Sequence, residues 1–143
     1  MRYIRKKNGY FLIEIMILLG ILSFSILYIQ SIQKGLSNLT LRSALNQSLQ
    51  SFIHAKLLAL HHNNDTIIQS KQNSLTIRQN NHLRHTLHYP KGIHSTINHR
   101  GYLGFKSNGN SKSAGRLTLT NTLQTHEIRL GVGLGKWTHY HNP

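Results

Sequence analysis

Eleven histidines and seventeen lysines and arginines stand against only three carboxylates, Glu14, Asp65 and Glu127, in a chain of 143 residues without cysteine. That inventory narrows the chemistry. A thiolate nucleophile, a thiolate metal site and a disulfide framework are excluded outright. His82, His85 and His88 recur at intervals of three, and His139 and His141 at an interval of two, which raises the question of a metal. Strand alternation, however, puts His85 opposite to His82 and His88. No carboxylate lies near in sequence to orient the rings, and no known ligand spacing is matched. Catalysis is poorly supplied as well, because only Asp65 and Glu127 lie beyond the apolar N-terminal segment and no nucleophile-elbow, P-loop or zincin motif occurs. These residues describe a non-enzymatic protein with no cofactor and no metal.

Binding is better supplied. The formal net charge is +14. Four of the basic residues, Arg2, Arg5, Lys6 and Lys7, precede the apolar segment, and without them 13 remain against the same three acids, a balance of about +10. Such a field favours a polyanion, with nucleic acid first and anionic lipid or a surface polymer behind it. The histidines would add charge in an acidic setting. Arg100, Lys106, Lys112, Arg116 and Arg129 come from one half of the chain, and with Lys136 they are expected to form one patch for phosphates. The tail from Lys136 to His141 interleaves basic and aromatic residues, so Trp137 and Tyr140 are candidates for stacking on exposed bases. If the tail is a strand, Lys136, Thr138 and Tyr140 share one face, while Trp137, His139 and His141 share the other. Trp137 then either stacks on a base or closes the core.

The elements that must carry these residues begin with a membrane span. Residues 10–29 are about 20 mainly apolar positions, enough for a helix to cross a hydrocarbon core of roughly 30 Å. The basic cluster lies immediately before them, so the positive-inside bias puts the N-terminus in the cytoplasm and the domain outside. A secretory signal would be shorter and would end in a small-residue cleavage site, so this segment is expected to stay attached. Glu14 interrupts the apolar run, and a carboxylate in that setting requires a partner unless it reaches the headgroups.

Residues 30–62 continue as an amphipathic helix, with Ile32, Leu36, Leu39, Leu45, Leu49, Phe52, Ile53, Leu57 and Leu60 at mostly helical spacings. Gly35 is a position at which that helix could bend. From residue 63 onward, short alternating runs predict strands near 66–68, 74–77, 83–89, 92–97, 102–105, 116–120 and 126–132, with a turn-rich stretch at 107–115. The expected fold class is α+β. A long N-terminal helix, transmembrane in its first half, packs in its second half on an antiparallel β-sheet domain spanning 63–143.

Two sets of residues resemble a known family. Lys7-Asn8-Gly9-Tyr10-Phe11-Leu12-Ile13-Glu14 resembles the prepilin leader, in which a glycine precedes an aromatic residue and a glutamate lies fifth in the mature chain. The resemblance implies a leader of residues 1–9, cleavage by a prepilin peptidase between Gly9 and Tyr10, and methylation of Tyr10. It also implies that Glu14 meets the amino terminus of a neighbouring subunit during filament assembly. The C-terminal half is similar to the GspH/FimT-like pseudopilins. The similarity runs through Gly104-Phe105, Asn108-Gly109, Ala114-Gly115-Arg116-Leu117-Thr118-Leu119, Glu127-Ile128-Arg129-Leu130 and Leu134-Gly135-Lys136. DNA-binding members of that branch carry Gly-Arg-x-Arg near the C-terminus, whereas this chain has Gly135-Lys136-Trp137-Thr138-His139.

The resemblance and the charge together lead to the expectation of a minor pseudopilin of a type IV or competence pilus. It would be single-pass in the cytoplasmic membrane, assemble with other pilins and bind extracellular DNA non-specifically during natural transformation. The alternative is a structural tip or priming pseudopilin of a type II secretion system without a DNA role. A DNA binder should present a connected positive face, and a pure filament subunit an apolar or mixed flank for its neighbours.

Overall fold

The helix that opens the chain is longer than any other element, and its composition changes along its length. The structure, a computed structural model, describes residues 7–98, 101–133 and 137–142. Its elements are α1 (Lys7–His62), β1 (Thr66–Lys71), β2 (Ser74–Gln79), β3 (His82–His88), β4 (His94–Ile97), β5 (Tyr102–Phe105), β6 (Gly115–Thr120), β7 (Thr125–Leu130) and β8 (Trp137–Asn142). Two units divide the chain, residues 1–36 and residues 37–143.

In the first unit α1 is exposed on every side from Tyr10 to Leu36, and it is long and apolar enough to cross a membrane. Two hydroxyls in this stretch are satisfied locally. Ser23 Oγ donates to the Leu19 carbonyl and Ser25 Oγ to that of Ile21, each at 2.8 Å, which removes unpaired donors from an apolar setting.

In the second unit α1 buries a stripe of Leu41, Ala44, Leu45, Phe52, Ala55 and Ala59. Three small residues, Ala44, Ala55 and Ala59, share that stripe with the larger Leu41, Leu45 and Phe52. The helix ends at Asn63, whose positive φ of 50° closes the last turn while the Asn64 amide donates to the Ala59 carbonyl at 3.2 Å. Two antiparallel four-stranded sheets follow, ordered β3-β2-β1-β5 and β4-β6-β7-β8. Ile68, Leu75, Ile77, Leu103 and Phe105 of the first sheet and Leu117, Leu119, Ile128 and Leu130 of the second join the α1 stripe in one core. The predicted strands correspond to β1 through β7, and the tail forms an eighth beside β7. Asn80 and Asn81, both at positive φ, make the two-residue turn between β2 and β3, the backbone that tight hairpins favour.

A buried hydroxyl pair is among the polar contacts that tie the helix into this core. Tyr89 is buried, and its hydroxyl lies 2.8 Å from Ser48 Oγ, which itself donates to the Ala44 carbonyl. With Ser48 so committed, Tyr89 is the donor in the pair. Burial pushes the phenol up to about 12. Tyr89→Phe is expected to cost about 1 kcal/mol, because one hydrogen bond is lost while Ser48 keeps its backbone partner. Urea unfolding of the two proteins would measure it.

Candidate nucleic-acid interface

Of the six basic residues expected to form a phosphate patch, four lie among the described residues. Arg100 and Lys136 do not, and the side chains of Trp137 and Tyr140 are likewise outside what is described. Arg116 on β6 and Arg129 on β7 are directly opposite each other in the register. Both are exposed, and between them sits Glu127, whose side chain is only 11% exposed. Arg116 Nη1 donates to Glu127 Oε1 at 3.2 Å, and Arg129 donates to Oε2 from Nε at 3.1 Å and Nη2 at 3.0 Å. A carboxylate this buried requires such partners. On β8, Thr138 is opposite Arg129, Tyr140 opposite Glu127 and Trp137 opposite Leu130.

Lys106 and Lys112 belong to the loop between β5 and β6. Lys112 Nζ donates to Asp65 Oδ2 at 2.9 Å, and the Ser107 amide donates to Asp65 Oδ1 at 3.1 Å. The Lys112 hydrogen bond holds the Asp65 carboxyl below the usual carboxylate range, with Ser107 and the charges of Lys112 and Lys106 adding to it and burial opposing. A lowered folded value means the clasp contributes above the ordinary carboxylate pKa and is lost only as pH falls through the lowered one. Both side chains are partly exposed, so it is worth at most about 1 kcal/mol.

The charge of this region therefore departs from the sequence expectation in a specific way. The expected patch drew its strength from a lack of compensating acids. In space, the two carboxylates of the domain are both engaged with members of that patch, Asp65 with Lys112 and Glu127 with Arg116 and Arg129. Arg116 and Arg129 come together, and Lys106 and Lys112 share the electrostatic field of Asp65. Arg116 gives Glu127 one of the five N–H groups that a guanidinium carries, and Arg129 gives it two.

Sequence alternation also misplaced one histidine. A register shift between Ile77 and Arg78 leaves Arg84 as an extra residue in β3, so His85 is opposite Ile77 and His82 opposite Gln79. Ile77 and Gln79 are both buried and two apart, which puts His82 and His85 on one face and His88, opposite Ser74, on the other. Among the described residues no group of three or more His, Cys, Asp or Glu is arranged to hold a metal ion.

The residues behind the family resemblance have concrete places. A Cβ on Gly104 would meet the Thr66 backbone, one on Gly115 would come within 2.6 Å of Leu103 Cδ2, and Gly109 has a φ of 77° with Leu60 packed against it. Comparison of the chain with known protein families, curated proteins and solved structures finds no match. The architecture itself, a long N-terminal helix with an antiparallel β domain, is consistent with a pilin-like fold.

Proposed function

We propose that this protein is a minor, GspH/FimT-like pseudopilin of a type IV or competence pilus that binds extracellular DNA without sequence preference. The observation that carries the pseudopilin reading is an exposed apolar helix followed by an antiparallel β domain, with Glu14 four residues after Tyr10. Among the described residues Glu14 has no ion-pair partner, which suits a carboxylate reserved for the amino terminus of a neighbouring subunit once a peptidase has cut after Gly9 and methylated Tyr10. The protein would sit once through the cytoplasmic membrane, N-terminus inside, until it enters the filament, and would act by binding rather than catalysis.

DNA binding draws its support from charge. The domain holds two acids, both engaged in ion pairs, and a large excess of basic residues. Phosphates would lie over Arg100, Lys106, Lys112, Arg116, Arg129 and Lys136, with Trp137 and Tyr140 available to stack. Duplex DNA titrated into the full-length protein in neutral-lipid nanodiscs should bind in the micromolar range at low salt. Each phosphate contact should add about 0.9 to the steepness of the log–log salt dependence. Arg116→Ala and Arg129→Ala should each weaken binding.

A second reading, the structural tip or priming subunit of a type II secretion pseudopilus, is favoured by one observation. Ile53, Leu57 and Leu60 form an exposed apolar stripe on α1, which suits contact with other pseudopilins. Absence of DNA binding even at low salt would leave that reading as the better one.

A further inference from the structure

The flank of the first sheet around β3 carries positive charge that the site above does not use. No aspartate or glutamate occurs in residues 15–64 or 66–126, so the domain part of α1 and β1 through β3 present only cationic or neutral groups. Arg78, His82, Arg84, His85 and His88 are all exposed. β3 is the edge strand of its sheet, and the bulge at Arg84 breaks its alternation, so its basic residues are distributed over both faces. On the α1 side the rings of His54 and His85 meet edge to face with centroids 5.6 Å apart. They line an open groove with Gln47, Gln50, Ser51 and Leu87.

We infer that this edge, with Arg78, Arg84 and the His54–His85 pair, is a second contact line for the phosphate backbone of nucleic acid, and that its grip tightens as pH falls below neutrality. The inference rests on the DNA reading above but not on the arginines of β6 and β7. Its geometry favours a linear partner. Seven extended residues cover about 23 Å, and one strand of duplex DNA presents about seven phosphates over that length. A lipid surface would engage a broad face rather than an edge.

Imidazole is the side chain that gains a proton between neutral and mildly acidic pH. His85 meets His54 of α1 ring to ring and shares its face of β3 with His82, with Arg84 next to it in the bulge, while Arg78 and His88 lie on the opposite face. No carboxylate lies on β2, on β3 or on α1 beyond Glu14. An anion over the groove favours the charged form of an imidazole beside it. Phosphate binding and proton uptake are thereby linked, so a phosphate ligand held at histidines binds better in acid.

The test is a fluorescence-anisotropy titration of labelled duplex DNA into the full-length protein in neutral-lipid nanodiscs, at about pH 8 and about pH 6, across a salt series. The parent is expected to bind about tenfold more tightly at the lower pH. The double variant Arg78→Ser/Arg84→Ser should reduce the log–log salt slope by about two. His54→Gln/His85→Gln should abolish the acid increment. All four positions are exposed, and equal thermal melting of parent and variants establishes that the fold is intact. If both double variants behave as the parent while Arg116→Ala and Arg129→Ala lose binding, DNA binding stands and this flank has no part in it. Binding that moves to anionic vesicles and spares DNA would also overturn the inference. No DNA binding at either pH would remove both readings together.

Discussion

Replacing Gly104 by alanine is expected to destabilise the β domain by about 3–5 kcal/mol, enough to leave much of it unfolded. The reason is geometric. Gly104 of β5 is paired with Ile67 of β1, and a Cβ at that position lies against the carbonyl oxygen of Thr66, with the Thr66 carbonyl carbon 3.3 Å and the Ile67 Cα 3.4 Å away. All three are backbone atoms, so relief requires β1 and β5 to separate. Thr66 cannot move cheaply, because it is fully buried and its hydroxyl donates to the Ala55 carbonyl of α1 at 3.1 Å. Gly115→Ala provides the contrast. Its Cβ would meet the end of the Leu103 side chain, which can rotate, and the expected loss is about 1–2 kcal/mol. Circular dichroism melts of the full-length proteins in detergent would rank the two, and a Gly104→Ala protein as stable as the parent would contradict the β1–β5 register.

Glu127→Gln is expected to move stability and DNA binding in opposite directions. The carboxylate accepts three hydrogen bonds from two arginines placed directly opposite each other. A neutral amide offers only one oxygen and leaves two guanidinium groups facing each other. The arginines are about half exposed, so water offsets part of the loss, and about 1–2 kcal/mol is expected rather than the larger cost of breaking a fully buried pair. The same change removes one of the two negative charges of the domain and frees arginine donors for phosphate. At low salt the affinity for duplex DNA should rise several-fold, and the salt dependence should steepen by about one contact. A structural pseudopilin with incidental charge would show the stability loss alone.

The architecture was legible in the sequence because hydrophobic period and turn chemistry agree along most of the chain. Leu83 to Tyr89 alternates sufficiently to be read as a strand, and Asn80-Asn81 before it allows the tight turn. The packed face of α1 was harder to read. Of the large apolar residues read as its stripe, Leu45 and Phe52 are buried and Leu49 is half-buried, but Leu39, Ile53, Leu57 and Leu60 are exposed, and Ala44, Ser48, Ser51, Ala55 and Ala59 fill the rest of the buried face. Small residues carry little hydropathy signal, and their role appears only once a strand lies against them. The site was partly legible for a similar reason. Acid scarcity is visible in composition, but which cations hold the acids is not: Asp65 meets Lys112 across 47 positions of chain. The bulge at Arg84 defeated alternation outright, since one extra residue puts His82 on the face of His85 and leaves His88 on the other.

A pseudopilin requires first that the N-terminal segment be a pilin-type helix, processed after Gly9 and kept. Mass spectrometry of the N-terminal peptide of the mature protein, purified from membranes of cells that contain a prepilin peptidase, tests this most directly. The predicted result is a peptide that begins at Tyr10, carries one methyl group on its amino terminus and still contains Glu14. A mature chain that begins at Met1, or one cut beyond the apolar residues 10–29, would contradict it.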